Sequence, residues 1–469
     1  MTTGTAAVIG GGISGLSASV ALRRAGWDVS IYERSKFKNE VGAGITVPPN
    51  AGLVLRHLGF DFEKARPVAN ETTRMSRCDA PPGEFYLSET YTRDDGLKNG
   101  AVNGNGLWNG NKSLDAERKA RESRAFEGFG SCMFHRVDLH RGLRELAEDA
   151  NGESGKGKTV EMKLGVEVEK IDCEAGILTL AGGQTVKVDL VVIADGAHSA
   201  LLQDFTGSPP KFHRTGRSIY RWLVSMSDVL ADPLTAAHYL PTSPTGFISF
   251  SDPKKRILWV SYPCRGGTVL NNAVLHDTQP GEGADSEAQS QWHASASKES
   301  VLSRLENFDE SRRRIVHMAS EDGIKVHHLF KRPALESFVR GRAVVIGDAA
   351  HVMLPTHAAG GASAIESAAA LEVLFRGVNG SDDELVKDRL RLFDQLRLPR
   401  CNLAMLVSNA GGPWTGDSEV EEEVRKFYHG PLPPVGTLPW MKEFREILFH
   451  HDAYKTAKQA LTGRLWFPN

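Results

Sequence analysis

The chain has 469 residues, with 56 Lys and Arg against 58 Asp and Glu and a formal net charge of −2. That length holds two or three domains, and a balanced charge without a basic tract gives no footing for a nucleic-acid partner. No run of about 18 apolar residues exists, so no spanning helix is expected, and five cysteines without a C-x-x-C pair read as reduced thiols of a cytoplasmic protein.

The first strand starts almost at Met1, which leaves no room for a signal sequence. Residues 5–33 read as a strand–helix–strand unit. An apolar strand at 6–9 runs into Gly10, Gly12 and Gly15, a G-x-G-x-x-G turn, and then a helix with Ile13, Leu16 and Val20 on one face. The second strand, 28–33, ends at Glu33. Such glycines let the backbone approach a pyrophosphate, the helix start favours its charge, and Glu33 accepts from a ribose hydroxyl. The acidic end favours an unphosphorylated ribose, that of NAD or of the adenosine half of FAD, while adjacent Arg34 leaves a 2′-phosphate open.

Gly42 and Gly44 mark either close backbone approach or a plain loop, and Asn50 suits the N-cap of a helix at 51–58. Residues 88–130 are polar and rich in glycine and asparagine, and read as an insertion or mobile flap. Arg136 stands where a loop meets a helix bearing Leu139, Leu143 and Leu146; on position alone it reads as a surface cation. Strands are expected at 165–171 and 177–180. Leu190 to Ile193 is a continuous apolar strand fit for a parallel sheet, and it ends in Asp195-Gly196, where open α/β sheets bind ligands.

Residues 211–269 change character, with antiparallel strands expected at 218–224, 237–240, 246–250 and 256–262. A loose stretch at 276–298 and a helix at 299–307 lead to a short buried strand at 343–346. That strand breaks at Gly347-Asp348, and Gly360-Gly361 opens a helix bearing Ile365, Ala368, Leu371 and Leu374. Its start offers free N–H groups to an anion or an electron-rich ring. Beyond Gly380 the chain reads as mostly helical. No metal site is expected: His327-His328 lacks partners at ligand spacing, and His450-His451 reads as structural.

Together these motifs resemble the single-component FAD-dependent aromatic hydroxylases, the group A flavoprotein monooxygenases, in particular their salicylate-hydroxylase-like branch. The resemblance is carried by the glycine turn, Val41 to Ile45 with Pro49 and Asn50, Arg136 with Leu139, Asp189 to Ser199, Gly341 to Leu371, and His451-Asp452. It implies an α/β fold: a Rossmann-like FAD-binding domain, an interleaved β-sheet substrate domain and a helical C-terminal region. The expected segments are 1–80, 131–205 and 321–395 for FAD, 81–130 and 206–320 for substrate, and 396–469 for the helical region.

The resemblance also implies the cofactor and the site. FAD would be reduced by NADH or NADPH and react with dioxygen, and one oxygen atom would enter a phenolic or other electron-rich aromatic substrate. Gly10, Gly12, Gly15 and Glu33 would take the adenosine diphosphate, with Gly44 close by. Arg136 would contact FAD, reversing its positional reading. Asp195 would serve FAD and the nicotinamide, Asp348 the ribityl or pyrophosphate region, and Pro355, Gly360 and Gly361 the isoalloxazine ring. Two departures stand out: Ala359 where the family often has Gln, and Ser367 where it often has Asp.

A phenolate attacks electrophilic oxygen better than a phenol, so a basic or cationic side chain over the sheet is expected. Arg221, Tyr220, His213 and Tyr239 are the candidates. Strand neighbours point to opposite faces, so Tyr220 and Arg221 cannot both face the cavity; Arg221 is preferred, on family position as much as on physics. Epoxidation or oxidative dearomatisation of a larger secondary metabolite is the alternative reaction, and a catalytically inactive FAD-binding protein the alternative class. A monomer or homodimer is expected.

Overall fold

Runs of Val, Ile and Leu flanked by glycine make the first sheet. In the computed structural model, which describes residues 4–37, 42–90, 130–150, 159–239, 245–279 and 294–463, β1 (Thr5–Ile9) pairs in parallel with β2 (Asp28–Glu33) on one side and with Leu190–Ile193 on the other. Numbered along the chain, the strands before that last partner are β3 (Gly44–Val47), β4 (Thr72–Arg77), β5 (Cys132–His135) and β6 (Glu161–Leu164), which makes Leu190–Ile193 β7. Those after it are β8 (His213–Ser225), β9 (Gly246–Asp252), β10 (Ile257–Cys264), β11 (Val269–Asp277), β12 (Lys325–Lys331), β13 (Val339–Arg340) and β14 (Ala343–Val345). The sheet order is β13-β14-β7-β1-β2-β6, parallel except for β13. Every residue of β7 and β14 is buried, as strands covered on both faces require. Helices α1 (Ile13–Arg24) and α3 (Arg136–Glu148) supply part of the cover, with α2 (Pro49–Leu58) beside them.

The second sheet is built otherwise. Its order is Ala294–Ser295, then β12-β8-β11-β10-β9-β4, then Leu87–Thr90, antiparallel except where β9 runs parallel to β4. Side chains alternate between its faces. Tyr220, Trp222, Phe250, Trp259 and Val274 pack with Ile315 and Val316 of α4 (Glu310–His317) into a separate core. Register puts Arg221 opposite Ala273, Ala273 opposite Val260, and Asn271 opposite Tyr262, all on the other face. That face meets β3, which with β5 and Val68–Ala69 forms a small sheet joining the two large ones.

The chain continues in helices, among them α5 (Ala359–Phe375), α6 (Asp383–Ala410) and α7 (Ala453–Leu461). Helix α5 is buried along nearly its whole length and packs on α1, α2, α6 and α7. Its Glu372 is 1% exposed and accepts from Arg24 Nε at 3.2 Å and Tyr454 Oη at 3.0 Å, tying α7 to the core around the parallel sheet. No helix among the described residues is long and apolar enough to cross a membrane.

Several expectations are corrected. Residues 165–171 are not one strand: Gly165 turns at φ +75° between β6, which joins the parallel sheet, and Val168–Asp172, which joins a separate three-stranded sheet. The strand expected at 237–240 is replaced, over the described residues, by a turn after the short helix Pro233–Ala236. There Asp232 caps Leu234 N, and Pro233 supplies the φ a first helical residue needs. Asn50 does not cap α2, whose N-cap is Pro48; it is buried in the first turn. The helix expected at 299–307 stops at Leu302. Expectations for 91–129, 280–293 and 464–469 fall outside the described residues.

Ala358, which precedes α5, sits at φ +49°, a left-handed conformation that costs a β-carbon residue about 1–2 kcal/mol. Ala358→Gly is therefore expected to raise stability by about 1 kcal/mol, read as a higher urea midpoint.

Candidate functional site

The site begins where β1 ends. Gly10 turns the chain at φ +101° in a place where a β-carbon would collide with the Ala194 carbonyl, so the glycine turn lies directly on the end of β7. Gly15 presses against the Gly10 carbonyl in the same way, whereas a β-carbon on Gly12 would meet nothing within 4 Å among the described residues. One side of the turn is thus packed and the other open. Glu33, at the tip of β2, accepts from Gly11 N–H at 2.7 Å and Ser35 N–H at 2.6 Å. His140 of α3 contacts the Gly11 carbonyl from behind through Nε2, at 2.7 Å. Gly15→Ala would force the loop outward, a change of about 1–3 kcal/mol; an FAD affinity at least tenfold weaker is expected, measured by flavin fluorescence quenching.

The ends of β7 and β14 add carboxylates. Asp195 is largely buried, and its Oδ1 has no hydrogen-bond partner among the described residues. Burial raises its pKa, with the Ser199 hydroxyl pulling the other way. Gly347 crosses over Ser14 in the first turn of α1, and Asp348 follows it, exposed, beside that helix start. Arg332 fixes this turn from below, donating through Nη2 to the carbonyls of Asp348 at 2.6 Å and Ala349 at 2.8 Å. Further on, Pro355 is exposed and Gly360 and Gly361 are half-buried at the start of a helix that is otherwise buried and carries no side-chain cap. A β-carbon on Gly360 would lie 3.9 Å from Asp348 Oδ1, and one on Gly361 3.2 Å from Ile45 Cδ1 of β3.

A path of open glycine backbone, helix starts and strand-tip carboxylates thus runs from Glu33 past Gly12 and Asp348 to Gly360. A ligand that is anionic in its middle, hydroxyl-bearing on both sides and planar at one end matches that donor and acceptor order. An FAD molecule has this make-up. Half-buried Arg136 opens α3 with its N–H bonded to the Ala43 carbonyl at 2.8 Å.

The inner face of the second sheet closes the planar end. Gly44 N–H donates to Asn271 Oδ1 at 2.7 Å, and a β-carbon on Gly44 would collide with the Tyr262 ring. Burial pushes the Tyr262 phenol up, out of reach of deprotonation near neutrality. Arg221 shares this face. It is half-buried with its Nε shielded from solvent, and burial lowers its pKa, with Tyr262 raising it and Arg136 lowering it further. Among the described residues no carboxylate pairs with Arg221, and its Nε has no hydrogen-bond partner.

The other three candidates are not brought here. Tyr220 points to the opposite face and stacks on His276 at 4.3 Å, with 12° between the rings. Tyr239 also packs against that far core and donates to Ser261 Oγ at 2.7 Å; burial pushes its phenol up to about 12. His213 is exposed at the far end of β8, paired with Lys331. Ser367, one of the two departures, accepts from Arg397 Nε at 3.2 Å and donates to the Ser363 carbonyl; Ala359 is buried against the C-terminal helices. Tyr262 and Asn271 were not singled out from the sequence, since their role follows from register alone. No group of three or more His, Cys, Asp or Glu side chains suited to a metal gathers among the described residues.

Comparison with known proteins shows the family of the chain. Residues 3–384 match the family model described as FAD binding domain. The FAD-dependent monooxygenase cfoG of Aspergillus candidus is 29% identical over 458 residues, covering 97% of this chain and 93% of that protein. Hispidin-3-hydroxylase of Neonothopanus nambi is 29% identical over 412 residues, covering 86% of each. A salicylate hydroxylase solved with substrate superposes with a TM-score of 0.68 at 19% identity, covering 100% of this chain and 99% of that one.

Proposed function

The chain belongs to the FAD binding domain family as an FAD-dependent monooxygenase of the single-component aromatic-hydroxylase type, and we propose that it draws electrons from NADH or NADPH and hydroxylates a phenolic substrate anchored by Arg221. FAD, held by these residues, would supply the redox chemistry that links NADH or NADPH oxidation to dioxygen, with one oxygen atom going to the substrate and the other to water.

The protein's own residues bind, orient and exclude water. The open side of Gly10 and Gly12 with the start of α1 receives the diphosphate, whose charge those N–H groups favour. Glu33 accepts from a ribose hydroxyl, and Asp348 from a hydroxyl nearer the ring. Arg136 supplies a cation, and Asp195 lines the same crevice. Pro355 and the backbone of Gly360 and Gly361 would hold the ring.

Arg221 is the observation that carries the substrate assignment. A half-buried guanidinium with no carboxylate partner among the described residues favours an incoming anion, and it lowers the pKa of a phenol that reaches it. Phenolate formation at that oxygen enriches the ring carbons that take up oxygen. Tyr262, kept protonated, remains a hydrogen-bond donor beside it.

An absorbance spectrum of the purified protein followed by anaerobic titration with NADH and with NADPH, alone and with a panel of phenolic acids, tests the reading. A flavin band that bleaches faster with one phenol supports it. A band that never bleaches points instead to a flavoprotein without turnover, and absence of flavin after adding FAD overturns the whole assignment.

A further inference from the structure

The sheet face that carries Arg221 also carries Phe247 and Tyr262, whose rings lie nearly parallel, 17° apart with centroids 6.2 Å apart. A third ring reaches this pair from the C-terminal region. Trp440 is 5% exposed, and its ring centroid lies 5.4 Å from that of Phe247 and 5.7 Å from that of Phe449. Its backbone holds φ +75°, a left-handed conformation that a bulky side chain adopts only where its surroundings impose it. Those surroundings are the cluster that also contains Ala359 and, packed against it, Met353 and Ala358, the residues leading to Gly360 and Gly361. Trp440 therefore touches the substrate sheet while belonging to the core that borders the ring-binding end of the FAD path.

We propose that Trp440 is a specificity-determining residue. With Phe247 and Tyr262 it forms an aromatic wall that selects flat, conjugated aromatic anions, the ring system lying against the wall and the anionic oxygen meeting Arg221. This rests on the reading of the inner sheet face as the substrate side. The chemistry is that of ring-on-ring contact: a broad planar ligand gains more from such a wall than a single ring, and a saturated ring of the same charge gains least. The left-handed backbone aims the indole away from the course a right-handed residue would give it, so the strain serves placement of the ring.

The test uses the FAD-loaded full chain without NADH or NADPH, following ligand-induced shifts of the flavin spectrum. The probes are salicylate, 3-hydroxy-2-naphthoate and cyclohexanecarboxylate. For the wild type, naphthoate is expected to bind tightest and cyclohexanecarboxylate weakest. Trp440→Gly suits the positive φ, so it removes the ring without straining the backbone; it is expected to weaken naphthoate about tenfold and leave FAD affinity unchanged. Trp440→Phe is expected to stay within about threefold of wild type. Equal naphthoate affinity in wild type and Trp440→Gly overturns the proposal, as does a loss of FAD affinity in both variants, which marks a structural residue. If none of the aromatic anions perturbs the wild-type flavin, the substrate reading of this face falls first, and the proposal with it.

Discussion

Replacing Glu366 with alanine is expected to cost about 3–5 kcal/mol of folding stability. Glu366 lies on α5, 1% exposed, and accepts from Arg400 Nε and Nη2 at 2.7 Å each and from Asn50 Nδ2 at 2.6 Å. Arg397 Nη1 lies 2.9 Å from its Oε2, an ion-pair contact without an aligned hydrogen bond, and is itself 1% exposed. Removing the carboxylate leaves two cations facing each other with little access to water. The same node joins α2, α5, α6 and the C-terminal segment, because Asn50 and Arg400 also donate to the Leu448 carbonyl. Glu366→Gln keeps the volume and loses the charge, so its cost should be smaller. Urea denaturation of the two variants beside the wild type measures both.

The acid dependence follows with a definite sign. Burial alone would raise the Glu366 pKa, but the charges of Arg400 and Arg397 outweigh it and hold the carboxyl well below the usual range. A native pKa below the unfolded value of about 4.3 gives stability that is complete above that pH and is lost as pH falls through and below it. The gap between wild type and Glu366→Gln should therefore be constant from pH 6 to 8 and narrow below about pH 4. A gap that widened in acid would refute the ion-pair account.

Arg221→Met is expected to move stability and function in opposite directions. A half-buried cation with no counter-charge among the described residues is a cost to the folded chain, so methionine, of similar length and without the charge, should raise the urea midpoint. A hydrogen bond to a charged group is worth about 1.5–3 kcal/mol, so kcat/KM for the phenolic substrate should fall about ten- to a hundredfold. Arg221→Lys should recover part of that loss, since a point charge replaces a planar fork. If Arg221→Met lowers the midpoint instead, Arg221 is a structural cation and another group holds the substrate.

The first βαβ unit was legible because its signals are local: an apolar strand, glycines at the turn and an acid at the next strand tip. Asp195 and Asp348 were legible for the same reason, each following a run of apolar strand residues. Alternation along β8 showed that Tyr220 and Arg221 face opposite ways, but the preference for Arg221 came from family position as much as from physics. What stayed hidden depends on register and on contacts between distant segments. Nothing near Tyr262 or Asn271 in the chain says that they face Gly44, and nothing near Trp440 says that it meets Phe247. The misplaced strand at 237–240 shows the limit of pattern reading. His238 and Tyr239 are buried by the far core, but Asp232 and Pro233 had already committed the segment to a helical turn.

The parallel sheet also has a consequence for how the protein is made. Strand β1 is synthesised long before its partner: β7 pairs with it from position 190, and β14 pairs with β7 only from position 343. Between them the chain must produce β8 to β12, strands that complete a sheet of their own and can close it while β7 still lacks its neighbour. Through that interval one edge of β7, Leu190 to Ile193, is apolar and unpaired, the kind of strand that pairs with whatever is at hand. Production of soluble protein should then depend on translation speed and chaperone supply more than on the stability of the finished fold.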